Sequence, residues 1–202
     1  MARGFLPRQI TSESAIGGST IQKSIVIDDS HLSMTPASNG NRRVWTFSCW
    51  VKRMQLGAYS SMFGARQTGT TNVDYFLFWN DDTLCFTNYN SGNYDVRTNA
   101  FFRDPTGWMH MVLAVDSTQG TAANRVKIYI NGELQTLWSS GSEHNHPPNQ
   151  NYDTAMNKAS LGLAFGRAYA FGAGSATHFE GQMAELYLVD GHQLEPTEFG
   201  YT

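Results

Sequence analysis

Charge is scarce in this chain. Only 15% of its 202 residues are Asp, Glu, Lys or Arg, the net charge is -3, and no basic run occurs. A surface that neutralises phosphates needs clustered Lys and Arg, so this composition argues against a nucleic-acid partner. Cysteine is nearly absent too. Cys49 and Cys85 allow one bridge at most, which excludes a disulfide framework, and two buried thiols are the expectation. No apolar run approaches the ~20 residues of a spanning helix, so no membrane insertion is expected. Met1 to Arg8 lacks the apolar centre of a signal peptide, which leads to an expectation of synthesis and folding in a cytoplasm. Heptads, internal repeats and long amphipathic helices are missing as well; Pro196 to Phe199 is the only helical hint.

Aromatic residues and glycine are plentiful. With 12 Phe, 9 Tyr, 5 Trp and 19 Gly, the chain has material for one aromatic core with many turns. A single domain of this length buries roughly 70% of its unfolded surface. The clearest pattern is Arg125 to Leu134: Val126, Ile128 and Ile130 alternate with Lys127, Tyr129 and Asn131. Asn131-Gly132 then supplies the positive φ angles of a tight hairpin. Gly107 to Asp116 precedes it as a strand and Glu133 to Trp138 follows as a return strand, which predicts three consecutive strands in one sheet.

Short strands are expected upstream at Ser24 to Ile27 and His31 to Met34, flanking a turn at Asp28 to Ser30. In Val44 to Arg53, Trp45, Phe47, Cys49 and Val51 share the face assigned to the core. Tyr59 to Ala65, Asp74 to Trp79 and Thr83 to Thr87 follow, separated by Gly, Asn and Asp turns. Ala159 to Gly166 is another apolar stretch, and the Gly-rich residues from Gly162 to Gly174 read as a turn, lacking the Lys-Ser/Thr ending of a phosphate loop. In the last strand, Phe179 to Gly191, Ala184, Leu186 and Leu188 are assigned inward. Many short strands between turn residues predict an all-β sandwich or jelly roll. Residues 1–23 read as an arm and 24–202 as the sandwich domain. The arm is either a solvated tail or a segment that orders against a neighbouring subunit through Phe5, Leu6, Ile10 and Ile16.

Four segments in order, WTFSCWVKR from Trp45, GWMHMVLAVD from Gly107, NRVKIYINGE from Asn124 and FEGQMAELYLVDG from Phe179, resemble the signature strands of laminin G-like, concanavalin A-like jelly rolls. The early FSCWVKR with the late AELYLVDG and EFG is also similar to domains of bacteriophage structural proteins. The resemblance implies a jelly-roll β-sandwich of two antiparallel sheets with one concave face. It implies a non-catalytic virion protein, a head decoration, fibre or tail appendage exposed on the particle surface. Its expected partners are other virion proteins, further copies of itself in a homo-oligomer, and a cell-surface or environmental glycan. The alternative is a carbohydrate-binding adhesin module, and a glycoside hydrolase is the third reading.

Candidate sites follow from side-chain chemistry. Sugar binding needs an aromatic face and amide or carboxylate partners, a mixture offered by Tyr89, Asn90, Asn93, Tyr94 and Asp95, and again by Asn151, Tyr152 and Asp153. No cofactor is expected. Calcium prefers several oxygen ligands, which Asn80 to Asp82 and Asn149 to Asp153 supply, although turn chemistry explains the same residues. His144 and His146 have no third metal ligand nearby. The paired carboxylates of a glycanase strand do not occur: Glu180 and Glu185, five apart, fall on opposite faces of a regular strand.

Overall fold

The computed structural model describes residues 21–66, 73–89, 94–138, 145–171 and 175–200. The arm residues Phe5, Leu6, Ile10 and Ile16 lie outside them. Fifteen strands are described. The first eight are β1 (Ile25–Ile27), β2 (Leu32–Met34), β3 (Val44–Arg53), β4 (Ser60–Arg66), β5 (Val73–Phe78), β6 (Thr83–Tyr89), β7 (Asp95–Phe101) and β8 (Met109–Asp116). They are followed by β9 (Val126–Ile130), β10 (Glu133–Leu134), β11 (Asn145–His146), β12 (Gly162–Phe165), β13 (Arg167–Phe171), β14 (Ser175–His178) and β15 (Gly181–Asp190). One antiparallel sheet has the order β1-β15-β3-β8-β9-β10, a second β11-β7-β6-β5-β4-β12-β2, and β13 pairs with β14 as a hairpin.

The two sheets enclose a core in which Trp45, Phe47, Cys49 and Val51 of β3 meet Phe63, Phe76, Phe86 and Phe165 from the opposite sheet. The expected inward face of β3 is therefore the inward face. Phe47 packs edge-on to Phe63 at 4.8 Å and stacks on Phe165 at 6.0 Å, and Trp45 donates its indole N–H to Thr154 Oγ1 at 3.0 Å. Truncating a ring at the centre of such a core costs about 3–5 kcal/mol. Both cysteines are buried free thiols, and burial raises their pKa.

The outer face of the six-stranded sheet is covered as well, so β3 is buried on both sides. Trp50 and Ala184 pack with Ile21 and Trp108, while Val112, Ala114 and Tyr129 pack under Phe199 of the Pro196–Phe199 3-10 turn. Polar Thr46 and Ser48 are held in this layer. Thr46 Oγ1 donates to the His192 carbonyl at 2.7 Å, and Ser48 Oγ lies 2.9 Å from His110 Nε2.

Three expectations are corrected. The return strand after Asn131-Gly132 pairs only at Glu133 and Leu134; Leu137 then bridges to Thr98, and Trp138 N–H reaches the Arg97 carbonyl, so the chain crosses to the other sheet. The two short strands expected around Asp28 to Ser30 are present, β1 pairing with β15 and β2 with β12, in different sheets. Gly162 to Gly174 is mainly strand, β12 and β13, with the turn at Gly166, whose φ is 83°. In β15, Met183 faces the main core and Ala184 the outer cluster, yet Leu186 and Leu188 again pack toward the main core. The cause is a bulge between Ala184 and Tyr187, with Glu185 at φ 47°. One extra residue inverts the side-chain parity of the rest of the strand.

Candidate functional site

The second face of the seven-stranded sheet carries its own cluster. Along β5, Asp74, Phe76 and Phe78 point to the core, whereas Val73, Tyr75 and Leu77 point away and join Cys85 and Ala168, with Tyr59 and Trp79 packed against them. The β13–β14 hairpin covers the β4 side of this face. Close approach there depends on Gly64: a Cβ at that position would lie 3.0 Å from the Ala168 Cα. Ser61 Oγ and Thr177 Oγ1, 2.7 Å apart, join sheet and hairpin.

Toward β6 and β7 the face ends in a charged aromatic group. The Arg97 guanidinium lies 3.7 Å from the Trp79 ring centroid, and Tyr59 meets the same indole edge-on at 4.8 Å. Arg97 Nε and Nη2 donate to the two carboxylate oxygens of Asp95 at 3.3 Å each. Asp95 also accepts a contact from the Cys85 thiol at 3.2 Å. Burial, reinforced by the Asp95 charge, keeps Cys85 protonated, so it is a filler and not a nucleophile. Asp95 and Trp79 remain partly accessible, and Arg97 is fixed in place by its two partners. The partly exposed Trp79 and Tyr59 rings thus lie beside the Asp95 carboxylate, an acceptor for hydroxyls, while Arg97, its side chain 7% exposed, covers one face of the indole and holds both partners in place.

Of the sequence-predicted sugar residues, Asn90 and Asn93 lie outside the described residues, as does the side chain of Tyr89. Asp95 stands on the outer face just described. Tyr94, its neighbour, is 1% exposed and points the other way, packing on Phe86 at 4.7 Å and on Tyr152 at 5.7 Å. The two predicted loops therefore meet at Tyr94 and Tyr152, at the core's edge. Burial and the adjacent Asp74 carboxylate push the Tyr94 phenol well above its ordinary pKa. Asn151 is exposed at φ 63°, and Asp153 accepts from Arg43 Nε at 2.6 Å. Trp79 and Tyr59 were not singled out from sequence because they read as ordinary ends of expected strands, and Arg97 because its segment showed no strand pattern.

The oxygen-rich turn Asn80 to Asp82 is committed to structure. Asp82 accepts from Arg53 at 2.9 Å, from Arg103 at 3.1 Å and from the Gly57 N–H at 2.8 Å. Asp81 accepts from the N–H and hydroxyl of Thr83. Among the described residues no cluster of three or more His, Cys, Asp or Glu is placed to hold a metal ion. His146 is exposed in β11, and His144 lies outside the described residues.

The fold and this aromatic face define a concanavalin A-like β-sandwich. Residues 28–198 match the model of the concanavalin A-like lectin/glucanases superfamily in its laminin G form, and the chain belongs to that family. No curated protein matches it by sequence. Among solved structures, domain 4 of the extracellular arabinanase AbnA of Geobacillus stearothermophilus, in complex with arabinotriose, has a TM-score of 0.60 at 20% identity. That match covers 85% of this chain and 72% of that one. The carbohydrate-binding module CBM40 of the Ruminococcus gnavus IT-sialidase has a TM-score of 0.56 at 12% identity, covering 84% and 94%. Domains LG4-5 of the mouse laminin α1 chain reach 0.54 at 12% identity, covering 84% of this chain and 42% of theirs.

Proposed function

We propose that this domain binds a carbohydrate without altering it, through the outer face of the seven-stranded sheet. The observation that carries the reading is the Trp79–Arg97–Asp95 group beside Tyr59: partly exposed aromatic rings with a carboxylate acceptor locked at their rim by Arg97. The similar structures support it, since one is a domain bound to arabinotriose and another a carbohydrate-binding module. The non-catalytic part rests on the carboxylates. Retaining hydrolysis needs two about 5 Å apart in one cleft. The described strands of this sheet and its covering hairpin carry two, Asp74 and Asp95. Asp74 faces the core, where it accepts from Asn88 and from the Ala155 N–H.

The particle setting is a further part of the proposal. Exposure on a virion, contacts with other virion proteins and homo-oligomerisation rest on the likeness of the FSCWVKR and AELYLVDG segments to phage structural domains. A glycan-binding appendage satisfies both readings. The test is a printed array of neutral and acidic oligosaccharides probed with the full chain, in calcium and in chelator. Binding to a defined set of glycans is the expected result; a folded protein that binds none in either condition overturns the reading.

A further inference from the structure

A second cleft opens at the end of the sandwich, between the last residues of β7 and the β9–β10 turn. Its volume is about 210 Å³, and it is lined by Phe101, Arg103, Asp104, Trp108, Ile130 and Asn131 among others. None of the residues lining it belongs to the Trp79–Arg97–Asp95 group. We propose that this cleft is a second saccharide-binding site, taking a single sugar unit.

Three features make it a built site. First, two aromatic residues frame it: Phe101 is 52% exposed, and Trp108 is partly exposed while its buried side packs with Trp50 and Ala184. Second, polar groups of both kinds converge there. Asn131, at φ 50° in the hairpin turn, accepts the His110 N–H on Oδ1 at 2.9 Å, which fixes the amide, and its nitrogen donates to no described residue. Asp104 is held below the usual carboxylate range by the Thr106 hydroxyl and N–H, so it is an ionised acceptor. Third, the wall is set before any ligand arrives. Arg103 donates to Asp82 and to the Asp81 carbonyl and lies 4.7 Å from the Phe101 ring centroid. Asp82 in turn is held by the fully buried Arg53. Aromatic faces with a fixed donor and a fixed acceptor are what a sugar ring requires, and preorganisation lowers the cost of binding. The volume is below the ~300–1,000 Å³ of drug-sized pockets, which restricts the occupant to one ring.

The ligand class rests on the glycan reading above, and the test separates the two. The five Trp indole N–H signals of ¹⁵N-labelled full chain report the two sites independently, Trp79 for the sheet face and Trp108 for the cleft. A saccharide that binds on the printed array is titrated into wild type, into Trp79→Ala, and into the double variant Asp104→Asn with Phe101→Ala. Both substituted positions of the double variant are exposed, so the fold is retained, which the dispersion of its spectrum checks. The expected result is a Trp108 shift that persists in Trp79→Ala and is weakened at least tenfold in the double variant. A Trp108 signal that stays still while Trp79 saturates overturns the second site and leaves the first standing. An unchanged Trp108 shift in the double variant overturns it too. If no saccharide on the array binds, both readings fall.

Discussion

Arg53 and Asp82 form an ion pair of 2.9 Å at one end of the sandwich, with side chains 0% and 6% exposed. Arg53 also donates to the Phe102 carbonyl and lies 3.9 Å from the Phe78 ring centroid. The pair thus ties the end of β3 to the turn between β5 and β6 and to the segment after β7. Burial alone would raise the Asp82 pKa, but the Gly57 N–H, Arg103 and Arg53 together hold it below its ordinary value.

Removing one partner leaves a buried charge without compensation, which costs about 3–5 kcal/mol. Asp82→Ala is therefore expected to lose stability in that range, measured as a lower urea midpoint. Arg53→Met should lose less, because Asp82 keeps Arg103 and Gly57. The reverse order would contradict the assignment of Asp82 as the hub.

Acid should act through the same carboxylate. Its folded pKa is depressed, so its contribution is present above the unfolded value and lost as pH falls through the folded one. In Asp82→Asn this component of the acid unfolding curve is expected to vanish, and a curve of unchanged shape would count against it.

His110 gives a second pH signature. Its ring lies 5.0 Å from Trp50 and 6.3 Å from Phe199, and burial lowers its pKa to about 4 from 6.5. Between those values the unfolded chain binds a proton that the folded one does not, so stability rises with pH through this window and levels above it. The slope is at most about 1.4 kcal/mol per pH unit. His110→Gln should flatten it in urea midpoints at pH 4.5, 5.5 and 7. An identical slope in the variant would mean that the ring is not buried as described.

Gly181 begins β15 where a Cβ would lie 2.2 Å from the Lys52 carbonyl and 2.9 Å from the Phe179 ring. Backbone atoms of β3 cannot yield there. Gly181→Ala is expected to cost about 3 kcal/mol or more, by strain and lost pairing at the β15–β3 edge. Calorimetry showing an unaltered melting temperature would contradict the register.

The sheets were legible in the sequence wherever one face was apolar and the register regular. β3 kept its assigned inward face, and the alternating Val126, Ile128 and Ile130 of β9 share the core face. In β15 Leu186 and Leu188 face inward as assigned and Ala184 does not, because the bulge at Glu185 leaves no mark in hydrophobic periodicity. β7 was missed since Asp95-Val-Arg-Thr-Asn shows one apolar residue in five, and its burial comes from partners the sequence does not place beside it. The site was hidden for a related reason. Trp79, Arg97 and Tyr59 come from three separate segments, and only the sheet brings them together. Asp95 was singled out by its loop composition and stands on the proposed face; Tyr94 carried the same signal but belongs to the core's edge.

The measurement closest to the central claim is calorimetric titration of an array-identified saccharide into wild type, Trp79→Ala and Arg97→Gln. Loss of a stacking platform, or of the guanidinium that fixes Trp79 and the Asp95 acceptor, costs about 1–3 kcal/mol, so each variant should bind roughly tenfold or more weakly while the fold is retained. Wild-type affinity in both variants would contradict the claim that this face holds the glycan.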